Sequence, residues 1–244
     1  MKTFIPVILV LILCMQSCKS GIEIPPTFHP DITNWQDLFA DDLSNANFPE
    51  GIWTFEEGIL TATEDQAIWT EWDYDNFILD LEFKTDTGTN SGVILYCSDI
   101  DNWIPNSIEI QIADDYAEQW ASSPPTWQCG AVFGHLPATK SMVEHPGEWN
   151  RFTITCVDKM IFVLLNGEQI IEMDMKLWTD AKVNPDGSEI PSWLSKPVAE
   201  LPTHGFIGFQ GKHAGAPIYF RNLKIKDLGG IEDLIILPGV GGLK

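Results

Sequence analysis

Positive charge is scarce in this chain. Of its 244 residues, 14 are lysine or arginine and 35 are aspartate or glutamate, which gives a formal net charge of −21. Such an acidic surface repels the phosphates of nucleic acids and anionic membrane surfaces, so we expect no nucleic-acid partner. Neutral ligands such as sugars remain compatible with this charge.

Cysteine and the standard catalytic motifs are also rare or absent. Cys97, Cys129 and Cys156 show no CxxC spacing, so the pattern indicates neither a zinc site nor a disulfide framework. We expect buried thiols, with one disulfide in an oxidising compartment as the alternative. The sequence contains no P-loop, no HExxH and no Ser-His-Asp order, so any chemistry must come from scattered residues.

The N-terminus has the pattern of a targeting segment followed by a linker. Lys2 precedes an apolar stretch, and "MQSC" ends at Cys18 like a bacterial lipobox. The apolar stretch is shorter than the about 20 residues of a membrane-spanning helix. We therefore interpret residues 1–17 as a lipoprotein signal peptide and Cys18 as the lipidated first residue, with a plain secreted protein as the alternative. The proline-containing residues 18–34 are predicted to form a tether. A lipid anchor at Cys18 would place the protein in a bacterial cell envelope.

Residues 35–228 read as short strands separated by turns. "NFILDLEFKT" places Phe77, Leu79, Leu81 and Phe83 on one face and Asp80, Glu82 and Lys84 on the other, and Asn166-Gly167 marks a hairpin. At least nine such runs occur without a long amphipathic helix. This pattern predicts an all-β sandwich or jelly roll. Residues 229–244 are interpreted as a tail, with a strand or a partly ordered end near Leu234.

The stretch "NSIEIQIADD" has two faces. Ile108, Ile110 and Ile112 point one way, while Glu109 and Gln111 point the other and lie about 7 Å apart. That spacing lets both polar side chains contact one ligand. A solvated strand face gives the same alternation, so the pattern alone leaves both interpretations open.

The remaining candidate site residues are scattered polar or aromatic side chains. Each has a structural alternative: an asparagine tolerates the left-handed backbone of a turn, a histidine after a glycine-rich turn can be a loop residue, and an arginine can brace a sheet. Ten tryptophans can supply stacking platforms for sugars, although most must fill the core. The candidates are Asn90, Asp114, Trp127, His135, His213 and Arg221.

The order of several short motifs resembles the 3-keto-disaccharide hydrolase domain family. The motifs, spread over roughly residues 35–228, are "NSGV", "IEIQIAD", "GAVFG", "GEWNRFTI", "LNG", "KPVAELPTHGFIGFQ" and "IYFRNLKIK". The resemblance implies a concanavalin-like jelly roll of two antiparallel sheets and a carbohydrate substrate. It also implies cleavage of 3-keto-glycosides, with a proton removed from C2 and the glycosidic oxygen expelled from C1.

Under this hypothesis Glu109, or His213 near it, is the base. Asn90, Gln111 and Asp114 would hold sugar hydroxyls or a divalent ion, and the other candidates would contact substrate. One alternative is a noncatalytic carbohydrate-binding module that uses the same cleft. Another is a glycosidase in which Glu109 and Asp114 form a carboxylate pair about 5 to 10 Å apart. The sequence does not decide between a hydrolase and a lyase.

Overall fold

The computed structural model describes residues 22–24, 27–229 and 234–236. The predicted signal peptide and Cys18 lie outside these residues. In the described ranges, no helix combines the length and the hydropathy needed to cross a membrane.

The described residues form fifteen strands and one short helix, α1 (Glu118–Ala121). The strands are β1 (Ile22–Ile24), β2 (Gln36–Asp37), β3 (Ala46–Asn47), β4 (Trp53–Glu56), β5 (Ile59–Ala62), β6 (Ile68–Tyr74), β7 (Phe77–Thr85), β8 (Asn90–Cys97), β9 (Ile108–Ala113), β10 (Trp149–Val157), β11 (Met160–Leu165), β12 (Glu168–Asp174), β13 (Gly205–Phe209), β14 (Ile218–Asp227) and β15 (Leu234–Ile236). Short 3₁₀ turns lie at Ile100–Asn102, Ile104–Asn106, Pro125–Trp127, Met175–Leu177 and Val198–Glu200.

Two antiparallel sheets make up the domain. The large sheet has the order β12-β11-β10-β7-β14-β5-β4 with β2 beside β14, and the small sheet has the order β3-β6-β13-β8-β9. One continuous hydrophobic core contains side chains from both sheets, so the predicted sandwich is confirmed. Strands β1 and β15 form a separate parallel pair.

Period-two alternation places the core side chains. Phe77, Leu79, Leu81 and Phe83 are all fully buried, as the pattern of β7 predicts. Phe152 on the neighbouring β10 packs against Phe83 with ring centroids 4.7 Å apart. Each such burial contributes about 1.5–3 kcal/mol relative to exposure, so these strands account for much of the folding free energy.

The predicted hairpin at Asn166-Gly167 is present. Both residues have positive φ, 51° and 88°, as a two-residue type I′ turn requires, and Leu165 pairs with Glu168 across it. The Asn166 side chain donates to the carbonyl of Met142 at 2.8 Å. The turn therefore also fixes the loop that precedes β10.

The outer face of the large sheet differs from the sequence prediction at Asp80. The alternation places Asp80 in solvent, yet its side chain is fully buried. Arg151 Nε donates to Asp80 at 2.9 Å, and Arg151 Nη2 donates to the carbonyl of Pro30 at 2.9 Å. His29 Nδ1 is hydrogen-bonded to Thr153 Oγ1 at 2.7 Å. The end of the predicted tether therefore lies against the sheet from His29 onward, because polar groups on that face supply its partners.

The three cysteines of the domain are buried free thiols, as expected from their spacing. Burial raises the pKa of the Cys97 thiol to about 11, so it stays protonated at neutral pH. These residues act as small core side chains.

Candidate functional site

A cavity of about 430 Å³ lies on the face of the small sheet that points away from the core. Ile108, Ile110 and Ile112 of β9 are buried in the core, so Glu109 and Gln111 point to the opposite face and line the cavity. The size of the cavity is typical of small-molecule sites. The polar face of "NSIEIQIADD" therefore forms part of a cavity floor.

Gly92 of β8 makes room for the side chain of Glu109. A Cβ atom built on Gly92 would lie 2.6 Å from Cγ and 2.7 Å from Cδ of Glu109. No real Cβ tolerates such distances, so the glutamate side chain lies across the bare backbone of the neighbouring strand. The glycine of "NSGV" therefore has a steric role in holding the carboxyl group in place.

The environment of Glu109 favours its protonated form. Burial penalises the charged carboxylate, and the nearby Asp65 carboxylate adds repulsion, so the pKa of Glu109 rises to about 8. At neutral pH most Glu109 side chains therefore carry a proton. A protonated carboxyl group can serve as a general acid, so of the two candidate bases, Glu109 and His213, this environment favours His213.

His213 lines the same cavity and is oriented by Asp65. Its Nδ1 is hydrogen-bonded to Asp65 Oδ2 at 2.7 Å, and its backbone forms a bridge with Asn90 at the start of β8. When Nδ1–H donates to a carboxylate, Nε2 is left as a proton acceptor. The pair therefore has the geometry of a general base with its orienting group.

Sequence reasoning missed Asp65, which lies 148 positions from His213. The two meet because the chain at Gly211 approaches the backbone at residues 64–66. A Cβ on Gly211 would lie 2.6 Å from the carbonyl oxygen of Gln66, and Lys212 N donates to the carbonyl of Glu64 at 3.0 Å. The only sign of this contact in the sequence is Gly211 in "FQGKHAG". A glycine alone does not show which residues pack against it.

Two amides lie beside Glu109. Gln111 Nε2 donates to Asn90 Oδ1 at 2.9 Å, and both side chains are buried. This bond fixes the orientation of both groups. In the hydrogen-bond network of the described residues, the Asn90 Nδ2 donor and the Gln111 Oε1 acceptor have no further partner, so both can bind a ligand.

Aromatic rings form the walls of the cavity. Trp127 packs edge-on against Trp193 with centroids 6.0 Å apart and lies 5.3 Å from Phe133. Trp193 comes from the long segment 176–204 and is 50% exposed. Asn184 of the same segment donates to the carbonyl of Gly134 at 3.1 Å. The segment thus is bonded to the turn at Gly134 and delivers an aromatic side chain to the cavity.

His135 also lines the cavity, as the sequence predicts. It is buried, and burial lowers its pKa to about 4 against a smaller opposite effect of the Asn184 amide. Its imidazole is therefore neutral at neutral pH. The Nδ1 atom is buried and has no partner among the described residues.

Two predicted site residues lie elsewhere. The buried carboxylate of Asp114 accepts hydrogen bonds from Gly88 N at 2.8 Å and Tyr116 N at 3.1 Å, so it stabilises a turn. It does not line the cavity, which removes the carboxylate pair that a glycosidase with Glu109 and Asp114 needs. Arg221 on β14 of the large sheet is bonded to Glu82 and lies 3.9 Å from the ring centroid of Trp149. It braces that sheet and does not line the cavity.

The described part of the chain contains no cluster of three or more His, Cys, Asp or Glu side chains arranged to hold a metal ion. The polar side chains that line the cavity are one carboxyl group, three amides, one hydroxyl group and two imidazoles, from Glu109, Asn90, Gln111, Gln210, Ser107, His135 and His213. This set can donate and accept protons and can bind hydroxyl groups.

Comparison with known proteins identifies related chains. A model of the 3-keto-alpha-glucoside-1,2-lyase-like domain matches residues 30–226. A 3-keto-disaccharide hydrolase of Bacteroides thetaiotaomicron is 25% identical over 174 residues, which cover 64% of this chain and 59% of that protein. The chain therefore spans less than two thirds of the length of this relative.

Two solved structures from Parabacteroides distasonis are similar, both candidate glycosyl hydrolases. One is 55% identical with a TM-score of 0.78 and covers 80% of this chain and 99% of that one. The other is 23% identical with a TM-score of 0.64 and covers 77% and 90%, respectively, so it supports the fold alone.

Proposed function

The chain belongs to the 3-keto-alpha-glucoside-1,2-lyase-like family, and from that premise we propose that it cleaves the glycosidic bond of 3-keto-glycosides. The observation that carries this proposal is the presence, in one cavity, of a carboxyl group with a raised pKa and an imidazole oriented by a carboxylate. Glu109 and His213 are thereby suited to opposite proton transfers.

The first step uses the acidity that the ketone at C3 confers on the C2 proton. His213 Nε2 removes this proton, and the C2–H electrons form the enolate of C2 and C3. Asp65 orients the His213 ring through the hydrogen bond to Nδ1. The Asn90 amide can donate to an oxygen of the sugar ring while its Oδ1 remains bonded to Gln111.

The second step breaks the bond between C1 and the glycosidic oxygen. The enolate electrons return to form a C1=C2 double bond and restore the C3 carbonyl, and Glu109 donates its proton to the leaving oxygen. The products are the free aglycone alcohol and an unsaturated 3-keto sugar. Addition of water, with hydroxyl at C1 and a proton at C2, completes hydrolysis, whereas earlier release gives the lyase outcome.

We also propose that the protein acts while anchored by lipid at Cys18 in the cell envelope. The support is the apolar stretch that ends in "MQSC". Metabolic labelling with a fatty acid should mark the wild-type chain expressed in a bacterial host and not a Cys18→Ser variant. Labelling of neither chain contradicts the anchor.

Release of a chromogenic aglycone from a 3-keto-glucoside, with and without chelator, tests the enzymatic function. The wild type should release it, while Glu109→Gln and His213→Asn should each be slower by about 10²-fold or more. Glu172→Gln and His204→Asn are matched controls, since both residues lie outside the cavity. Tight binding of unoxidised oligosaccharide without any release would favour the carbohydrate-binding module.

A further inference from the structure

The floor of the cavity is wide enough for two rings. It consists of four adjacent backbone segments, which contain Gln210, Gly92, Gln111 and Ala131 in that order. Gln210 N donates to Gly92 O at 2.9 Å, Gly92 pairs with Gln111, and Gln111 N donates to Ala131 O at 2.9 Å. Neighbouring strands lie about 4.8 Å apart, so the floor is about 14 Å across. A sugar over the acid-base groups therefore leaves room for a second group beside it.

The side of the floor beyond β9 is aromatic. We name the part of the cavity that is lined by Trp127, Phe133 and Trp193 the aromatic slot. Phe133 lies directly beside β9, since its N–H donates to the carbonyl of Glu109 at 2.9 Å. Leu194 closes the slot and packs on Gly134, where a Cβ would lie 2.5 Å from its Cδ1.

The aromatic slot offers few acceptors to hydroxyl groups. Trp127 and Trp193 bring indole N–H donors only, Phe133 and Leu194 bring no polar side-chain atom, and His135 Nδ1 is buried. A second pyranose would bring several hydroxyl protons that lose water without gaining an acceptor, which weakens binding. A flat aromatic group needs no such partners and gains from edge-to-face and stacking contacts with the rings. The net charge of −21 disfavours anionic groups.

We infer that the aromatic slot binds the aglycone, and that the preferred substrates are 3-keto-glucosides of uncharged aromatic aglycones rather than 3-keto-disaccharides. This inference rests on the proposed function, because it names the leaving group that Glu109 protonates. Trp193 is the residue to test, since half of its surface is exposed and it lies within the surface segment 176–204.

Three substrates of one anomeric configuration separate the possibilities: a benzyl 3-keto-glucoside, a methyl 3-keto-glucoside and a 3-keto-disaccharide. Benzyl alcohol, methanol and a sugar hydroxyl are all poor leaving groups, so differences in kcat/KM report recognition of the aglycone. The wild type should prefer the benzyl substrate over both others by about tenfold. Trp193→Ala should lower kcat/KM for the benzyl substrate by about tenfold and leave the methyl substrate within about twofold.

Trp72→Ala is the matched control, because Trp72 on β6 is 65% exposed and does not line the cavity. It should leave all three rates unchanged. Equal rates for the three wild-type reactions, preference for the disaccharide, or an equal loss for the methyl substrate in Trp193→Ala would overturn the inference while the proposed function stands. Absence of turnover for all three substrates would overturn the proposed function and the inference with it.

Discussion

The side chain of Glu109 occupies the space that a side chain on Gly92 would fill. The two residues lie on neighbouring strands of the small sheet, and a Cβ on Gly92 would come within 2.7 Å of the Glu109 Cδ atom. The glycine therefore supplies the room that the Glu109 carboxyl group needs, and we propose that this carboxyl group supplies the proton.

Gly92→Ala should displace the Glu109 carboxyl group. We expect kcat/KM to fall by about 10²-fold, because misplacing a reacting group by about 1 Å costs that much, while the far-ultraviolet circular dichroism spectrum stays unchanged. The double variant with Glu109→Gln supplies the control. If the substitution acts through Glu109, the double variant is no slower than Glu109→Gln alone, whereas additive losses would show a separate defect.

The activity should fall as the pH rises through about 8. In the proposed mechanism Glu109 acts as an acid in its protonated form, and its pKa in the free protein is raised to about 8. The value of kcat/KM should therefore fall as Glu109 loses its proton on the alkaline side. A pH profile of kcat/KM measures it, and Glu109→Gln should lack this limb. A rise through pH 8 would instead make Glu109 the base.

The stability of the fold should also depend on Glu109. Its pKa is about 8 in the folded chain against an ordinary glutamate value of 4.5, so the folded state binds the proton more tightly. The contribution of Glu109 to stability is then largest below about pH 4.5 and is lost between there and about pH 8. At pH 9, Glu109→Gln should be more stable than the wild type by about 1–4 kcal/mol in urea unfolding. Glu172→Gln should show no such gain, and an equal gain there would contradict the assignment.

Asp65→Asn should act on both catalytic groups without touching substrate. Loss of the carboxylate removes the acceptor that orients His213, so kcat/KM should fall by about 10- to 100-fold. The same change removes a negative charge that raises the pKa of Glu109, so the alkaline limb of the pH profile should move to lower pH. Asp73→Asn, whose partner His204 is remote from the cavity, is the control. If the variant is slower but the alkaline limb of its pH profile stays at the same pH, Asp65 has a structural role alone.

Arg151→Ala should destabilise the domain. It leaves the fully buried Asp80 carboxylate without its cation and releases the carbonyl of Pro30, which costs about 3–5 kcal/mol. Guanidinium unfolding measures the loss. Lys140→Ala removes the exposed pair with Glu168 and should change stability by less than about 1 kcal/mol. Similar losses in both variants would show that the burial of Asp80 has no special energetic role.

Local patterns predict much of the fold and part of the site. The alternation in β9 follows from the geometry of a strand, so it correctly separates Glu109 and Gln111 from the isoleucines of the core. The Asn166-Gly167 turn is likewise a local property of two residues. Both predictions need no knowledge of distant parts of the chain.

Long-range contacts explain what the sequence could not reveal. Asp65 reaches His213 only through the packing of Gly211 against residues 64–66. Asp80 is buried only because residues 29 and 30 lie across the sheet near Arg151. The raised pKa of Glu109 depends on its burial and on Asp65, and neither is visible in a strand pattern.

The fate of the hydrogen at C2 tests the central claim most directly. A 3-keto-glucoside is cleaved by the wild-type protein in D₂O, and the sugar product is examined by NMR beside an enzyme-free reaction that measures spontaneous exchange. The account predicts that the hydrogen on C2 is lost in every turnover, so that the product is either unsaturated at C2 or carries deuterium there, and that His213→Asn abolishes this. Release of the aglycone with the original hydrogen retained at C2, or no release at all, would contradict it.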